Sequence, residues 1–302
     1  MGGSLSQPNW GNAMFQELFD MFVRQRKPSL DNLLETNDRH IHNMDALLPP
    51  APESKPRTHF DTELPKEKMS MLNLTPRQRL KAMSKGVPLF ANMMRGSSLY
   101  DEPFKPTQDR ASSAFIAELE VMARAAGARE IGYVKVPRNA IFQGKGIPCE
   151  YAIVFTVEME QEAIETAPSF DCQLEVMDGY KRMSTISGKL TGHLRANGYA
   201  AYPGMALGGL TDYVHLAELA GIGAIGYHGL LIAPGEGTAT HQHHLRRIYP
   251  PGSTGQNERT PMDTDFCAMC KKCVRSCPVS AIMNSHTPWR RRNAGHRPCD
   301  LP

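Results

Sequence analysis

Two long stretches of the chain place apolar residues at helical spacing, and each stretch ends at a glycine. Residues 114–126 form the first stretch and stop at Gly127, and residues 172–197 form the second and stop at Gly198. Apolar residues that recur every three or four positions indicate an amphipathic helix, and glycine favours the left-handed turn that follows one. The pattern therefore predicts two amphipathic helices over these residues.

Short apolar runs between and after these helices predict strands. Residues 131–136 follow the first helix, and residues 151–157 form a continuous apolar run that is typical of a buried central strand. Residues 216–220 predict a short helix before a glycine-rich turn, and a further apolar run at 230–233 follows that turn. Because helices and strands alternate, we expect an α/β or α+β core.

The first 110 residues carry weaker signals. Residues 12–26 have the spacing of an amphipathic helix, whereas residues 48–66 are rich in proline and polar residues and indicate an extended linker. Thr75 followed by Pro76 predicts a helix start, with the threonine as N-cap and the proline at the first position. No function can be inferred from this segment.

Composition and charge exclude a few functional classes. The chain has 302 residues, of which 41% are hydrophobic and 22% charged, as is ordinary for a soluble globular protein. A net charge of +3 gives no argument for nucleic acid or an anionic membrane as a partner. No stretch approaches the ~20 apolar residues of a membrane-spanning helix, and the N-terminus has no secretory signal. We therefore expect a cytoplasmic protein without a membrane span.

Four of the seven cysteines lie in one run, which indicates a metal site in a reducing compartment rather than a disulfide framework. The run Cys267-Ala-Met-Cys270-Lys-Lys-Cys273-Val-Arg-Ser-Cys277-Pro has the C-x2-C-x2-C-x3-C-P spacing of a bacterial 4Fe-4S site. A zinc site with four thiolates is the alternative, but such sites usually use two separated C-x2-C pairs. We therefore interpret these four cysteines as ligands of a 4Fe-4S cluster.

A glycine-rich stretch, Gly221-Ile-Gly223-Ala-Ile-Gly226, matches the G-x-G-x-x-G fingerprint of dinucleotide-binding proteins. That fingerprint requires a strand before the glycines and a helix after them. Here the predicted helix comes first and the predicted strand follows, so the context is inverted. A tight backbone turn, or close approach of the backbone to another flat ligand, is the better interpretation.

A histidine-rich patch follows, with His241, His243 and His244 close to two arginines. Histidines at alternate positions of a strand could bind a metal ion. We favour a polar loop in which these histidines have no metal-binding role.

Residues 112–282 together resemble the cobalamin-dependent reductase family that contains reductive dehalogenases and epoxyqueuosine reductase. The resemblance lies in four segments, in this order: Asp178-Gly-Tyr180-Lys-Arg-Met183, Leu194-Arg-Ala-Asn-Gly198-Tyr-Ala-Ala201, the glycine-rich core over 216–234, and the run from Phe266 to Pro278.

This resemblance implies a nitroreductase-like α/β (α+β) core that holds base-off cobalamin against the backbone of Gly221, Gly223, Gly226 and Gly229. It also implies a C-terminal ferredoxin-like module whose 4Fe-4S clusters pass electrons to the corrinoid for reduction of an organic substrate. An external donor such as a ferredoxin or flavodoxin would supply those electrons. The chain then divides into three parts: a helical and linker region over 1–110, a cobalamin-binding core over 111–255, and an incomplete 4Fe-4S module over 256–302.

The dehalogenase branch of the family uses a tyrosine in a Y-x-x-M segment as proton donor, and Tyr180 matches that tyrosine. Burial beside positive charge would make such a phenol a better acid. The alternative is a tyrosine that only packs its ring on the apolar face of the same helix.

The sequence departs from the family at three places. Asp212 lies near, but not at, the position of an aspartate in the epoxyqueuosine branch, and the histidine patch stands where the family has an arginine-rich strand. The second cysteine run expected after Cys277 is absent, so we expect a truncated or degenerate member that binds at most one cluster with full thiolate ligation. A single-cluster electron-transfer protein and a poorly folding gene fragment are the alternatives.

Overall fold

The computed structural model describes residues 47–57, 74–101, 104–108, 110–206, 208–233, 240–245 and 261–277, with isolated positions between 31 and 44 and at 280 and 282. Its helices are α1 (Pro76–Ser98), α2 (Ser113–Ala125), α3 (Gln161–Glu165), α4 (Phe170–Ala196), α5 (Tyr213–Leu219), α6 (Pro261–Cys270) and α7 (Lys272–Ser276). Its strands are β1 (Ile131–Lys135), β2 (Tyr151–Thr156), β3 (Ala201–Pro203), β4 (Ala224–Ile225), β5 (Leu231–Ile232) and β6 (Thr240–Leu245).

The principal sheet has four strands in the order β1-β2-β6-β3, and every neighbouring pair is antiparallel. Ile131 pairs with Phe155 at one end of the β1–β2 ladder, and Tyr151 pairs with Leu245 in the β2–β6 ladder. The predicted buried strand is thus confirmed as an inner strand. Since all the pairs are antiparallel, the core is of the α+β kind rather than a doubly wound parallel sheet.

The two faces of β2 contribute to two different hydrophobic clusters. Ala152 and Val154 belong to the α5-side core, whereas Ile153 and Phe155 belong to the α4-side core. This alternation follows from the two-residue period of a strand, which directs successive side chains to opposite faces. The α5-side core also contains Leu216, Ala217, Ile222 and Leu231, and the α4-side core also contains Met183, Ile186, Leu190 and Leu194.

Helix α1 packs along α4, although the division made from the sequence places it in the N-terminal region. Its start is as predicted: Thr75 is the N-cap, its side chain and that of Gln78 form a capping box, and Pro76 occupies the first position. Leu89, Phe90 and Met93 of α1 lie in a third buried cluster, here called the α1 cluster.

Both predicted long helices are confirmed, as α2 and α4. Each begins at a serine N-cap, Ser112 or Ser169, whose hydroxyl accepts a hydrogen bond from a backbone N–H of the first turn. Gly127 and Gly198, where the pattern predicts the helix ends, have φ angles of 107° and 84°. Only glycine adopts this region without steric cost, so these residues stop the helices.

The histidine-rich patch is not a loop. Thr240–Leu245 forms β6, which lies between β2 and β3 in the sheet. The interpretation as a polar loop is therefore wrong, because strand pairing on both sides overrides the weak local preference of this polar segment. The helix predicted over 12–26 lies outside the described residues.

Candidate functional site

Tyr180 lies on α4 and packs against both the α4-side core and the α1 cluster. Burial raises the pKa of its phenol above the usual value, and it is the cause of that shift. The hydroxyl therefore stays protonated at neutral pH but is a weaker acid than an exposed tyrosine. This position fits the interpretation in which Tyr180 packs its ring on the apolar face of the helix. The role of Tyr180 as a proton donor stays a prediction.

The charges that follow Tyr180 in the sequence are already neutralised. Lys181 donates to the Asp178 carboxylate at 2.6 Å, Lys85 lies 2.7 Å from the same oxygen, and Arg182 Nε lies 3.2 Å from the other one. Burial raises the pKa of Asp178, but the hydrogen bonds and positive charges of Lys181 and Lys85 outweigh burial and lower it. Because these cations are engaged with a carboxylate, they do little to acidify the phenol.

The glycine-rich stretch forms a small hairpin after α5. Strands β4 and β5 pair antiparallel, and Gly226 N–H donates to the Leu230 carbonyl at 3.0 Å. Helix α5 comes before the glycines and a strand follows them, as predicted, so the dinucleotide-binding arrangement is absent from this hairpin. Glu218 of α5 accepts a hydrogen bond from Ile225 N–H at 3.1 Å and joins the hairpin to the helix.

Two of the four glycines are required by the hairpin itself. A Cβ atom on Gly223 would lie 2.3 Å from the Ile232 carbonyl oxygen, and one on Gly226 would lie 2.8 Å from Ile232 Cδ1. A larger residue at 223 would separate the strands, whereas one at 226 would displace the Ile232 and His228 side chains, so packing explains glycine at both positions. At Gly229 the reason differs: φ is 79°, and a Cβ atom would meet nothing within 4 Å.

The hairpin tip is exposed. His228 Nδ1 accepts a hydrogen bond from Leu230 N–H at 3.0 Å, and burial lowers the pKa of His228. The imidazole is therefore neutral at pH 7, with its proton on Nε2, the nitrogen that does not accept the backbone hydrogen bond. At the tip, the backbone of Gly229 is open to the approach of a flat ligand, and the His228 imidazole presents an N–H donor.

The structure does not bring Tyr180 and the glycine hairpin together. Tyr180 packs on the α4-side core, whereas Ile222 and Leu231 of the hairpin lie in the α5-side core, beyond the principal sheet. A shared catalytic site for these two features stays a prediction.

The cysteine run lies across the junction of α6 and α7. Cys267 and Cys270 occupy the last turn of α6, Cys273 lies in α7, and Cys277 follows that helix. Lys271 has a φ of 47° and turns the chain between the helices. No disulfide joins these four cysteines, and all four are half-buried.

Four thiolates at this spacing suit an iron–sulfur cluster chemically, because sulfur ligands are the soft donors such clusters need. In the described conformation, however, no group of three or more Cys, His, Asp or Glu side chains in the described residues is placed to hold a metal ion. The ferredoxin-like module over 256–302 and its cluster therefore stay predictions.

Two proteins with similar sequences are both named tetrachloroethene reductive dehalogenase. The tetrachloroethene reductive dehalogenase of Dehalobacter restrictus is 31% identical over 176 residues, which cover 57% of this chain and 30% of that protein. The enzyme of the same name from Sulfurospirillum multivorans is 31% identical over 148 residues, covering 48% and 28%. The matched part of the chain thus spans less than a third of the length of these relatives. No family model matches the chain.

Solved structures agree on the fold. The catabolic reductive dehalogenase NpRdhA, in complex with 3-bromo-4-hydroxybenzoic acid, matches with a TM-score of 0.51 and 20% identity over 67% of this chain and 30% of its own. A reductive dehalogenase structure described with a mechanism for B12-dependent dehalogenation also gives 0.51 and 20%, over 68% and 32%. The chain is similar in sequence to reductive dehalogenases and shares the fold of solved members of that family.

Asp212 has a structural role. Its side chain caps α5 by accepting a hydrogen bond from His215 N–H, and it also accepts one from Lys55 Nζ at 2.5 Å. Burial raises the pKa of Asp212, but the positive charge and hydrogen bond of Lys55, together with the hydrogen bond from His215, outweigh burial. The pKa of Asp212 is therefore lowered overall. The link also fixes the 47–57 segment against α5.

Among the described residues that line one further cavity, only Arg195 lies in a segment on which the family resemblance rests. The cavity has a volume of about 510 Å³ and lies between α1 and α4. The available signal was the four-residue spacing of Ser184, Gly188 and Gly192 on the α4 face towards α1, because small residues leave room between helices.

Among the described helices of the chain, none is long and apolar enough to cross a membrane.

Proposed function

We propose that this chain forms the reductase core of a corrinoid- and iron–sulfur-dependent enzyme that reduces a small organic molecule. One observation carries the proposal: a stretch 31% identical over 176 residues to a tetrachloroethene reductive dehalogenase occurs in a chain that also has a 4Fe-4S cysteine run. Organohalides are the first substrate class to test, since the relatives are named for one.

The residues that would hold the two cofactors lie in separate elements. Cys267, Cys270, Cys273 and Cys277 would ligate a 4Fe-4S cluster, and the hairpin tip around Gly229 would receive the corrinoid. When bound, the two groups supply single electrons and a reducible cobalt. Gly223 and Gly226 contribute by building the hairpin, as their contacts with Ile232 indicate.

Tyr180 is the proposed proton donor. Its raised pKa keeps the hydroxyl protonated at neutral pH, so the proton is present when a reduced carbon needs it. Tyr180 and the hairpin pack on different cores. Proton donation and cofactor retention therefore belong to different elements, and they are measured separately.

The test is anaerobic reconstitution of the purified chain with iron, sulfide and cobalamin, followed by gel filtration. We expect cobalt to co-elute with the chain and to give a base-off spectrum. Turnover of tetrachloroethene with a low-potential ferredoxin or chemical reductant is then compared between the wild type and Tyr180→Phe. Failure to retain cobalt would contradict the reductase proposal.

A single-cluster 4Fe-4S protein without reductase activity is the second candidate. It is favoured by Gly223 and Gly226, whose identity is explained by packing without any ligand. Iron at about four atoms per chain with no bound cobalt would select it. Both candidates require reduced thiols, which is why we propose a cytoplasmic location with an external electron donor as partner.

A further inference from the structure

The cavity between α1 and α4 is a groove lined by both apolar and polar residues. Met93, Leu99, Pro203 and Met205 provide apolar surface. Hydroxyl and amide groups come from the two helices, at Asn92, Ser98, Ser184, Thr185, Ser187 and Thr191. A volume of about 510 Å³ lies within the ~300–1,000 Å³ typical of small-molecule sites.

The charges in the groove have one sign. Arg95, Lys189 and Arg195 line it, and no Asp or Glu is among the described residues that line it. Arg195 is fixed in place, since its Nε donates to the Ala201 carbonyl at 2.8 Å and its guanidinium lies 4.8 Å from the ring centre of Tyr202.

The other two cations are exposed and adaptable. Within the described part of the chain, neither the Arg95 nor the Lys189 side chain makes an ion pair or a hydrogen bond. A groove with fixed and adaptable positive charge and no carboxylate attracts an anion.

The lining includes a buried hydroxyl that has no partner among the described residues. Ser187 is 1% exposed, and among the described residues its Oγ has no hydrogen-bond partner. By contrast, Ser184 and Thr191 donate to carbonyls of their own helix. A buried polar group without a partner among the described residues is unusual and leaves this part of the lining under-satisfied in hydrogen bonding.

Two glycines create the space. Gly188 and Gly192 line the groove one helical turn apart, and a Cβ atom on either would meet nothing within 4 Å. Glycine is unfavourable inside a helix compared with alanine. Neither positive φ nor crowding explains these glycines, which leaves the open groove as the feature they serve.

We propose that this groove binds a small organic anion, whose carboxylate or phosphate lies among Arg95, Lys189 and Arg195 while its apolar body contacts Met93 and Met205. This inference goes beyond the proposed reductase activity and does not depend on it. It requires neither cobalt nor iron.

The test is calorimetric titration of the full chain with benzoate, phenyl phosphate and the neutral analogue benzamide. We expect both anions, or the one with the right headgroup, to bind about tenfold or more tightly than benzamide, and binding to weaken at high salt. Lys189→Gln should weaken anion binding about fivefold or more, whereas the matched control Lys135→Gln, an exposed cation on β1, should not.

A second variant separates binding from folding. Gly192→Leu places a side chain in the groove at a helical position without neighbours, so the unfolding temperature should stay the same or rise while anion binding is lost. Equal binding of benzamide, undiminished binding by Gly192→Leu, or no binding of either anion by the wild type would overturn the proposal.

Discussion

Ile153 and Val154 are consecutive residues of β2, yet one is buried in the α4-side core and the other in the α5-side core. Each is at most 1% exposed, so the strand is covered on both faces. Consequently the two features that the family resemblance singles out, Tyr180 and the glycine hairpin, are supported by different cores. Substitutions in one should leave the other intact, and this independence underlies the predictions that follow.

Tyr180→Phe should separate packing from chemistry. No described residue hydrogen-bonds to the Tyr180 hydroxyl, so its removal should change the free energy of unfolding by less than about 0.5 kcal/mol. Loss of a proton donor should lower the turnover of the reconstituted enzyme about 100-fold or more, with cobalt retention unchanged. Tyr180→Ala is the packing control and should cost about 2–4 kcal/mol in urea unfolding. Full turnover by Tyr180→Phe would show that the ring serves only the core.

Gly223→Ala and Gly229→Ala should both lower the stability of the hairpin, but for different reasons and by different amounts. Gly223→Ala brings a Cβ atom against the Ile232 carbonyl and should destabilise the hairpin by about 2–3 kcal/mol. Gly229→Ala meets no atoms but has a φ of 79°, which should cost about 1–2 kcal/mol. Gly192→Ala on α4 is the matched control and should stabilise by about 0.5–1 kcal/mol. Thermal unfolding of the three variants measures the order, and equal effects at 223 and 192 would contradict the described hairpin.

The parts of the fold that were predictable from the sequence depend on local chemistry. Thr75 and Pro76 mark a helix start, and Gly127 and Gly198 mark helix ends, because capping and positive φ are decided within a few residues. The apolar run of β2 likewise predicts a strand without reference to its neighbours.

The remainder depends on contacts between distant residues. The strand that contains His241 and His243 has no apolar alternation and is held by its pairing with β2 and β3. The need for glycine at 223 arises from the Ile232 carbonyl, and the role of Asp212 from Lys55. No local pattern announces these partners, so the sequence indicated that Gly223 and Asp212 matter but not for what reason.

The cysteine run can be tested by single substitutions. After anaerobic reconstitution, the wild type should contain about four iron atoms per chain, and Cys273→Ser should lose most of that iron because one thiolate ligand is removed. Cys172→Ser in α4 is the control and should keep the wild-type iron content. Values close to eight iron atoms per chain, or equal iron in both variants, would contradict a single cluster at Cys267–Cys277.

The link between Lys55 and Asp212 should make part of the stability depend on pH. The pKa of Asp212 is lower in the folded chain than in the unfolded chain, so its contribution is fully present above the unfolded value of about 3.9 and is lost as the pH falls through the folded value. Asp212→Asn retains an N-cap side chain but removes the charge, and at pH 7 it should cost about 1–2 kcal/mol after allowance for the partial exposure of Lys55. Urea unfolding at pH 7 and below pH 4 should therefore show a wild-type advantage that shrinks in acid. Asp212→Ala, which removes cap and charge together, should retain a deficit at both pH values, and an Asp212→Asn deficit that is independent of pH would show that the ion pair does not stabilise the fold.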